Sequence, residues 1–349
     1  MQKVLIALML LLGTMVPVLA AGPKSVEFRQ LGCNDLLGHF YHVSSELEDP
    51  GSHLLGKYGM HTLFDGDTYT GWSEGVDGSG TGETLWLRVP EGADTLAVVN
   101  GFARSLALFQ KNNRVKELEL SLYYAILPEA MVTELGPVYC ISPASDTIDI
   151  TLKDSPELEV YSLHFNWSGI SGGYGKATEA YPAYAEEEGL PPKIQHKDYL
   201  LKMEIKSVYP GSAWNDTCLT ELRAFPREGV EVERVYGEEG KIMYEVETQG
   251  RWMLPKVLYY DREVSYEPLE LGPDARWLTA IGTPLEGRGR SVSEFKLFRI
   301  PYPQPVNLRK FSDGIGAGLL PVGFEGRNEK IFLLMDDGSE IPLIKEDLF

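Results

Sequence analysis

Short apolar or alternating runs follow one another along the chain, separated by clusters of Gly, Pro, Asn and Asp, and long helical periodicity is nearly absent. Runs at 84–89, 95–99, 115–122, 147–152, 158–165 and 199–208 have strand length and end in turn chemistry. "TIDITL" at 147–152 alternates as a half-buried strand does, and "YLLKMEIKSVYPG" closes on a Pro-Gly turn. Strands at this density predict an all-β sandwich or barrel. The stretch 161–195 departs from the pattern, being Gly-rich, then acidic, then Pro-rich. It reads as a long surface loop with one helical turn at 179–188. Tyr174, Tyr181 and Tyr184 would then form a contact patch for a protein partner.

A second strand series begins after "RAFPREGVEVERVYGEEGK" at 223–241. The division predicts a first domain over 24–227 and a smaller β domain over 230–349. Within the latter, Asp336-Asp337-Gly338-Ser339 joins two apolar runs and is a hairpin signal. "GIGAG" at 314–318 lacks the preceding strand and βαβ unit that a dinucleotide fingerprint needs.

The first residues change the compartment. Lys3, an apolar run to Leu12 and the small residues around Ala20 describe a secretory signal peptide over 1–20. The expectation is a secreted or periplasmic protein, with no later segment apolar and long enough to span a membrane. The net charge of −19 opposes nucleic acid and anionic membrane surfaces as partners, and is compatible with neutral ligands and divalent cations. The chain has 3 Cys. An exported compartment allows one bridge, with Cys33–Cys218 the favoured pair, or three buried free thiols.

Candidate chemistry concentrates in "LFDGDTYTGWSEGVDGSGTGE". Asp65, Asp67 and Thr70 at i, i+2 and i+5 can turn hard oxygens toward one point, which suits Ca²⁺. The same residues also suit an Asp-rich turn closed by its own hydrogen bonds. A glycosidase pair drawn from Asp65, Glu74, Glu83 and Glu221 is a third reading, and acid pairs are common in so acidic a chain. His39 and His42 form a weak H-x-x-H.

Four ordered blocks carry a family resemblance: "LFDGDTYTGW", "EGVDGSGTGE", "VVNGFARSLALFQKNNRVKELELSL" and "MEIKSVYPGSAWNDTCLTELRAF". Over about residues 60–225 the chain resembles a discoidin-like F5/8 type C domain, and is most similar to the NAD glycohydrolase translocation F5/8 type C-like domain. The resemblance implies a jelly-roll β-sandwich with Leu63, Phe64 and Trp72 in its core. It also implies a structural Ca²⁺ bound by Asp65, Asp67 and Thr70, completed by Glu221 and the Thr62 carbonyl. Activity on NAD is not implied, because in that family the domain accompanies a separate catalytic domain.

Sandwiches of this class bind at the loops of one end. Aromatic faces with a few amide or cationic groups suit a glycan. The candidates are Asn100, Asn112, Asn113, Arg114, Tyr209, Trp214 and Asn215. The expectation is an exported, non-catalytic protein that binds a glycan or other surface ligand. A structural role, with an envelope protein held by the C-terminal domain, is the alternative. A hydrolase with an unrecognised carboxylate pair is a third.

Overall fold

The structure, a computed structural model, describes residues 26–36, 39–48, 56–228, 230, 232–246, 256–273, 276–285, 294–306, 321–327 and 330–343. The expected leader at 1–20 and the 314–318 stretch lie outside the described residues.

Among the described residues the chain is all-β but for two α-helices and one 3-10 helix. The strands of the first part are β1 (Arg29–Gly32), β2 (Asn34–Leu36), β3 (His39–Val43), β4 (Trp72–Ser73), β5 (Thr84–Val89), β6 (Thr95–Asn100), β7 (Asn113–Pro128), β8 (Val138–Pro143), β9 (Ile148–Thr151), β10 (Leu158–Ser162), β11 (Ile194–Tyr209) and β12 (Thr217–Phe225). They form a 12-stranded sheet that folds over on itself as two layers. One layer holds β10, β6, β12 and β4, and the other holds β7, β11, β5 and β3 with β8 and β9 on the flank of β7. A short parallel step, Thr217 against Asn113 and Cys218 against Arg114, links them. Between the layers lie Leu96, Val98 and Leu222 from one side and Leu118, Leu120, Leu122, Leu201, Met203, Leu85 and Leu87 from the other. Leu63, Phe64 and Trp72 close this core, Trp72 at 0 % exposure.

The stretch 161–195 corrects the sequence reading. It holds α2 (Trp167–Glu188), a helix of 22 residues, where a surface loop was expected. The Asn166 side chain caps its start by accepting from the Gly169 amide, and Gly189 ends it in the left-handed region. Ile170, Ala177, Tyr181 and Ala185 face inward. Tyr181 and Ala185 cover Ile126 and Cys140, where the inner face of β7 runs beyond the first layer. The three tyrosines are therefore packing groups. The Tyr181 hydroxyl donates to the Pro191 carbonyl, the Tyr174 hydroxyl to Ala125 and Asp198, and Tyr184 packs on Phe28. The other helix, α1 (Leu106–Lys111), is a short turn capped by Ser105.

Cys33, Cys140 and Cys218 are buried free thiols, and the expected Cys33–Cys218 bridge is absent. Cys33 packs with Trp86, Tyr139 and Leu200, whereas the Cys218 thiol donates toward the Ser73 hydroxyl in another part of the sandwich.

After Phe225 come a 4-stranded sheet, β13 (Val232–Val246), β14 (Lys256–Leu271), β15 (Trp277–Pro284) and β16 (Glu294–Arg299), and a 3-stranded one, β17 (Pro321–Arg327), β18 (Lys330–Met335) and β19 (Glu340–Leu343). The Asp337-Gly338 turn joins β18 and β19, with the Ser339 amide donating to Asp337. The 4-stranded sheet seats on the sandwich. Tyr260 donates its amide to the Gly66 carbonyl at 3.0 Å, and Tyr302 packs on Phe225 with ring centroids 4.8 Å apart.

Candidate functional site

Two places on the sandwich carry chemistry, and β12 runs between them. The first is a cavity of about 210 Å³ at the end where β12 begins, lined by Leu47, Tyr58, Ser73, Phe102, Leu108, Asn112, Trp214, Asp216 and Cys218. Local folding explains the lining. Helix α1 ends at Asn112, whose side-chain amide donates back to the Leu108 carbonyl. The turn after β11 folds onto that helix end, with Trp214 and Ala213 donating their amides to the Lys111 carbonyl. This leaves Trp214 43 % exposed at the mouth, with the Lys111 ammonium 5.2 Å from its ring centre. The loop after Trp72 braces the far wall. Buried Glu74 accepts the amides of Thr217 and Val76, and the Thr217 hydroxyl donates to the Ser79 carbonyl. Glu83 accepts the hydroxyls of Ser44 and Ser45. Both carboxylates thus shape loops.

The cavity gathers Asn112 and Trp214 from the expected ligand set, and Asn215 is exposed beside them. Asn100, Asn113, Arg114 and Tyr209 are placed otherwise, because their polar atoms are spent inside the fold. Asn100 donates to the carbonyls of Val115 and Lys153 and accepts the amides of Gly101 and Val115. Asn113 bonds the Asn215 carbonyl and the Gly211 amide. Arg114 forms a forked pair with Asp154 and also donates to the Asn112 and Pro210 carbonyls. The Tyr209 hydroxyl donates to the Leu152 carbonyl. Sequence reasoning missed Tyr58, Phe102, Leu108 and Asp216, which come from separate segments that only the fold brings together.

The second place is the loop 65–70. Asp65 accepts the Asp67 amide at 2.8 Å and the Thr70 hydroxyl at 2.9 Å. Asp67 accepts the Tyr69 amide at 2.9 Å. The Thr62 hydroxyl donates to the Gly59 carbonyl at 2.7 Å. Burial pushes the Asp65 carboxyl up to about 7, against the lowering effect of those two donors. Burial also raises Asp67, partly offset by the Tyr69 amide and Arg262.

Glu221 stands behind this loop on β12. The pairing of β12 with β6 slips between Leu219 and Glu221, a bulge that leaves one extra residue on β12. Leu219 and Leu222 therefore both face the core, while Glu221 and Arg223 leave on the other side. Glu221 is 0 % exposed, and neither carboxylate oxygen has a hydrogen-bond partner among the described residues. Burial drives its pKa far up; Arg223 and, more weakly, the nearby Gly66 amide counter this, and Asp65 and Asp67 add to it.

The residues fit a cation in one respect and not in another. Among the described residues no three His, Cys, Asp or Glu side chains group as a metal cluster. Yet among the described residues both Glu221 oxygens are buried without a hydrogen bond, with only the Arg223 charge 3.6 Å away to offset a burial penalty of roughly several kcal/mol per ion. The hydrogen bonds that set the Asp65 and Asp67 rotamers are worth only about 1 kcal/mol each. The orphaned Glu221 is therefore the stronger indication. His39 and His42 do not converge on a metal: the His39 ring stacks on Phe64 at 4.5 Å and lies 3.2 Å from the Arg223 guanidinium.

Residues 38–136 match the family model of the NAD glycohydrolase translocation F5/8 type C domain. The matched residues hold the loop 65–70 and Leu47, Tyr58, Ser73, Phe102, Leu108 and Asn112 of the cavity, and with the two-layered sandwich they give an all-β, discoidin-like fold. No curated protein matches the chain. Similar solved structures include the arabinofuranosyltransferase AftD from mycobacteria (12 % identity, 70 % of this chain and 16 % of that chain, TM-score 0.30). They also include the F5/8 type C domain of a Bacteroides fragilis protein (11 % identity, 58 % and 97 %, TM-score 0.26). A third is a Ruminococcus gnavus GH29 fucosidase in complex with fucose (6 % identity, 55 % and 26 %, TM-score 0.21). The chain thus spans only a small part of the mycobacterial enzyme. No helix among the described residues is long and apolar enough to cross a membrane.

Proposed function

We propose that this is an exported, non-catalytic binding protein whose discoidin-like domain holds a glycan, or a similar neutral surface ligand, in the cavity under Trp214. The observation that carries the reading is the composition of that cavity. Trp214, Tyr58 and Phe102 offer aromatic faces, and Asn112 and Asp216 offer a few polar atoms. Apolar ring faces with few directed hydrogen bonds are what sugar rings need. At about 210 Å³ the cavity is smaller than the roughly 300 Å³ at which drug-sized sites begin, so it takes one ring of a longer ligand.

In the same reading a structural Ca²⁺ is held by Asp65, Asp67, Thr70, Glu221 and the Thr62 carbonyl. It supplies positive charge to buried carboxylates and ties the loop to β12. The test is a glycan array followed by calorimetry on the full chain and on Trp214→Ala. Binding lost in the variant, with its circular dichroism and melting unchanged, supports the reading. Binding that survives Trp214→Ala, or no glycan bound by the wild type, removes it.

A further inference from the structure

Arg223 is 4 % exposed and sits where three parts of the chain meet. Its Nη2 donates to the Phe64 carbonyl at 3.1 Å, at the end of the 3-10 helix (Met60–Phe64) that leads into Asp65. The same Nη2 donates to the Val257 carbonyl of β14 at 3.0 Å. It also lies 3.6 Å from Glu221 Oε2, close enough for charge attraction but too far for a hydrogen bond. The directed bonds of the guanidinium thus go to two carbonyls and, through Nη1, to the His39 ring at 3.2 Å, and Glu221 receives its charge alone.

We propose that Arg223 is the resident counter-ion of Glu221: it sets the affinity of the loop for a divalent cation and links occupancy to the seating of the C-terminal sheet. The inference rests on the cation reading above. A divalent ion taking the free oxygens of Glu221 meets a positive charge fixed beside it by two carbonyls. That repulsion lowers affinity. Moving the guanidinium away relieves it, but breaks the bond to Val257. Occupancy and seating therefore oppose one another, and linkage makes the effect reciprocal.

The test uses the full chain, titrated with CaCl2 by calorimetry and melted with CaCl2 or EDTA, as wild type, Arg223→Gln and Glu221→Gln. Arg223→Gln should bind Ca²⁺ about ten-fold tighter or more, from the loss of one nearby positive charge. Glu221→Gln should not bind. Hydrogen exchange at the first amides of β14 should quicken in Arg223→Gln without Ca²⁺, and in the wild type on adding Ca²⁺. If Arg223→Gln binds where the wild type does not, the counter-ion role is supported in its strongest form. If the wild type binds and Arg223→Gln binds equally or more weakly, the counter-ion role is overturned and the cation site stands. If neither binds, both fall. Arg223→Met fills similar space without charge and carries the same expectations should Arg223→Gln fail to fold.

Discussion

Gly66 is the position at which the joint between sandwich and C-terminal sheet can be broken most cleanly. Its φ is +71°, a region that L side chains avoid. A Cβ there would stand 2.8 Å from the Tyr259 Cα and 3.1 Å from its backbone N and C. These are backbone atoms, so no rotamer change relieves the contact. Gly66→Ala therefore carries left-handed strain of about 1–2 kcal/mol. It also pushes β14 away and weakens the Tyr260 bond to the Gly66 carbonyl, a net hydrogen bond of about 1 kcal/mol. Overpacking against a fixed backbone adds about 1 kcal/mol or more. The strain can be separated by a control. Gly189 has a similar φ of +67° but nothing within 4 Å of a built Cβ. Gly189→Ala should cost about 1 kcal/mol, strain alone, and Gly66→Ala about 3 kcal/mol or more. Urea unfolding followed by Trp fluorescence, with hydrogen exchange at β14 to place the loss, measures both. If the two variants are equally destabilised, the close approach of β14 to the loop contributes nothing, and the seating inferred from it is wrong.

Three further outcomes follow from particular side chains. Burial tends to raise the Asp198 carboxyl, but His196, Arg88 and the Tyr139 hydroxyl outweigh it and hold it below the usual range. A lowered acid contributes stability that is present above the unfolded value of about 3.9 and lost as pH falls below it. Asp198→Asn should therefore destabilise the protein by about 1–3 kcal/mol at pH 7, with the gap to wild type narrowing below about pH 4 in urea titrations. Burial pushes the thiols of Cys33 and Cys218 up to about 12 and that of Cys140 up to about 11. Ellman's reagent at pH 8 should react with none of them natively and with all of them in guanidinium; a native disulfide would leave the unfolded count short. Glu74→Gln leaves one of the amides of Thr217 and Val76 facing an NH2 group and should lower Tm by about 2–6 °C, as about 1–2 kcal/mol does for a domain of this size.

The strand pattern was legible because it lies in neighbouring residues. The run at 84–89 coincides with β5, and those at 95–99 and 199–208 lie within β6 and β11. The family resemblance assigns Trp72, Leu63 and Phe64 to the core, and they lie there. Helix α2 was hidden because its inward stripe, Ile170, Tyr174, Ala177, Tyr181 and Ala185, has helical spacing but is built from small and aromatic residues, among Gly172, Gly173, Gly175 and Pro182. Its start and stop signals, Asn166 and Gly189, were nonetheless in plain view. The candidate ligand residues divide by a rule that sequence does not contain. Asn, Arg and Tyr at strand ends meet backbone groups before they meet solvent, so Asn100, Asn113, Arg114 and Tyr209 bond carbonyls and amides. Trp214 stays exposed because a turn, not a strand, presents it.

The placement of β12 explains why these features belong to one device. Its first residues, Thr217 and Cys218, hold the Glu74 loop and line the cavity. The bulge after Leu219 then turns Glu221 and Arg223 out of the core and toward the loop 65–70. Its last residue, Phe225, packs on Tyr302 of the C-terminal part. In a regular strand Leu219 and Leu222, three residues apart, would face opposite sides; the bulge at Thr220 lets both face the core and sends Glu221 and Arg223 out beyond them. Because strand backbone is stiff, a shift of β12 produced at Glu221 must be shared by the Cys218 end of the cavity or absorbed at the bulge. Removing the bulge by deleting Thr220 distinguishes these. The deletion also takes away the hydroxyl that bonds the Gly101 carbonyl and the Ala103 amide. With Thr220 removed, Leu219, Glu221 and Leu222 follow one another opposite Asn100, Val99 and Val98, so Glu221 and Arg223 keep the outer face and only the local twist of the bulge is lost. The deletion variant should therefore fold less stably through the lost hydroxyl bonds, as Thr220→Val does, and any Ca²⁺ response it loses beyond that of Thr220→Val reports the twist of the bulge. A folded deletion variant with the Ca²⁺ response of Thr220→Val would show that the twist of the bulge does not aim the acid.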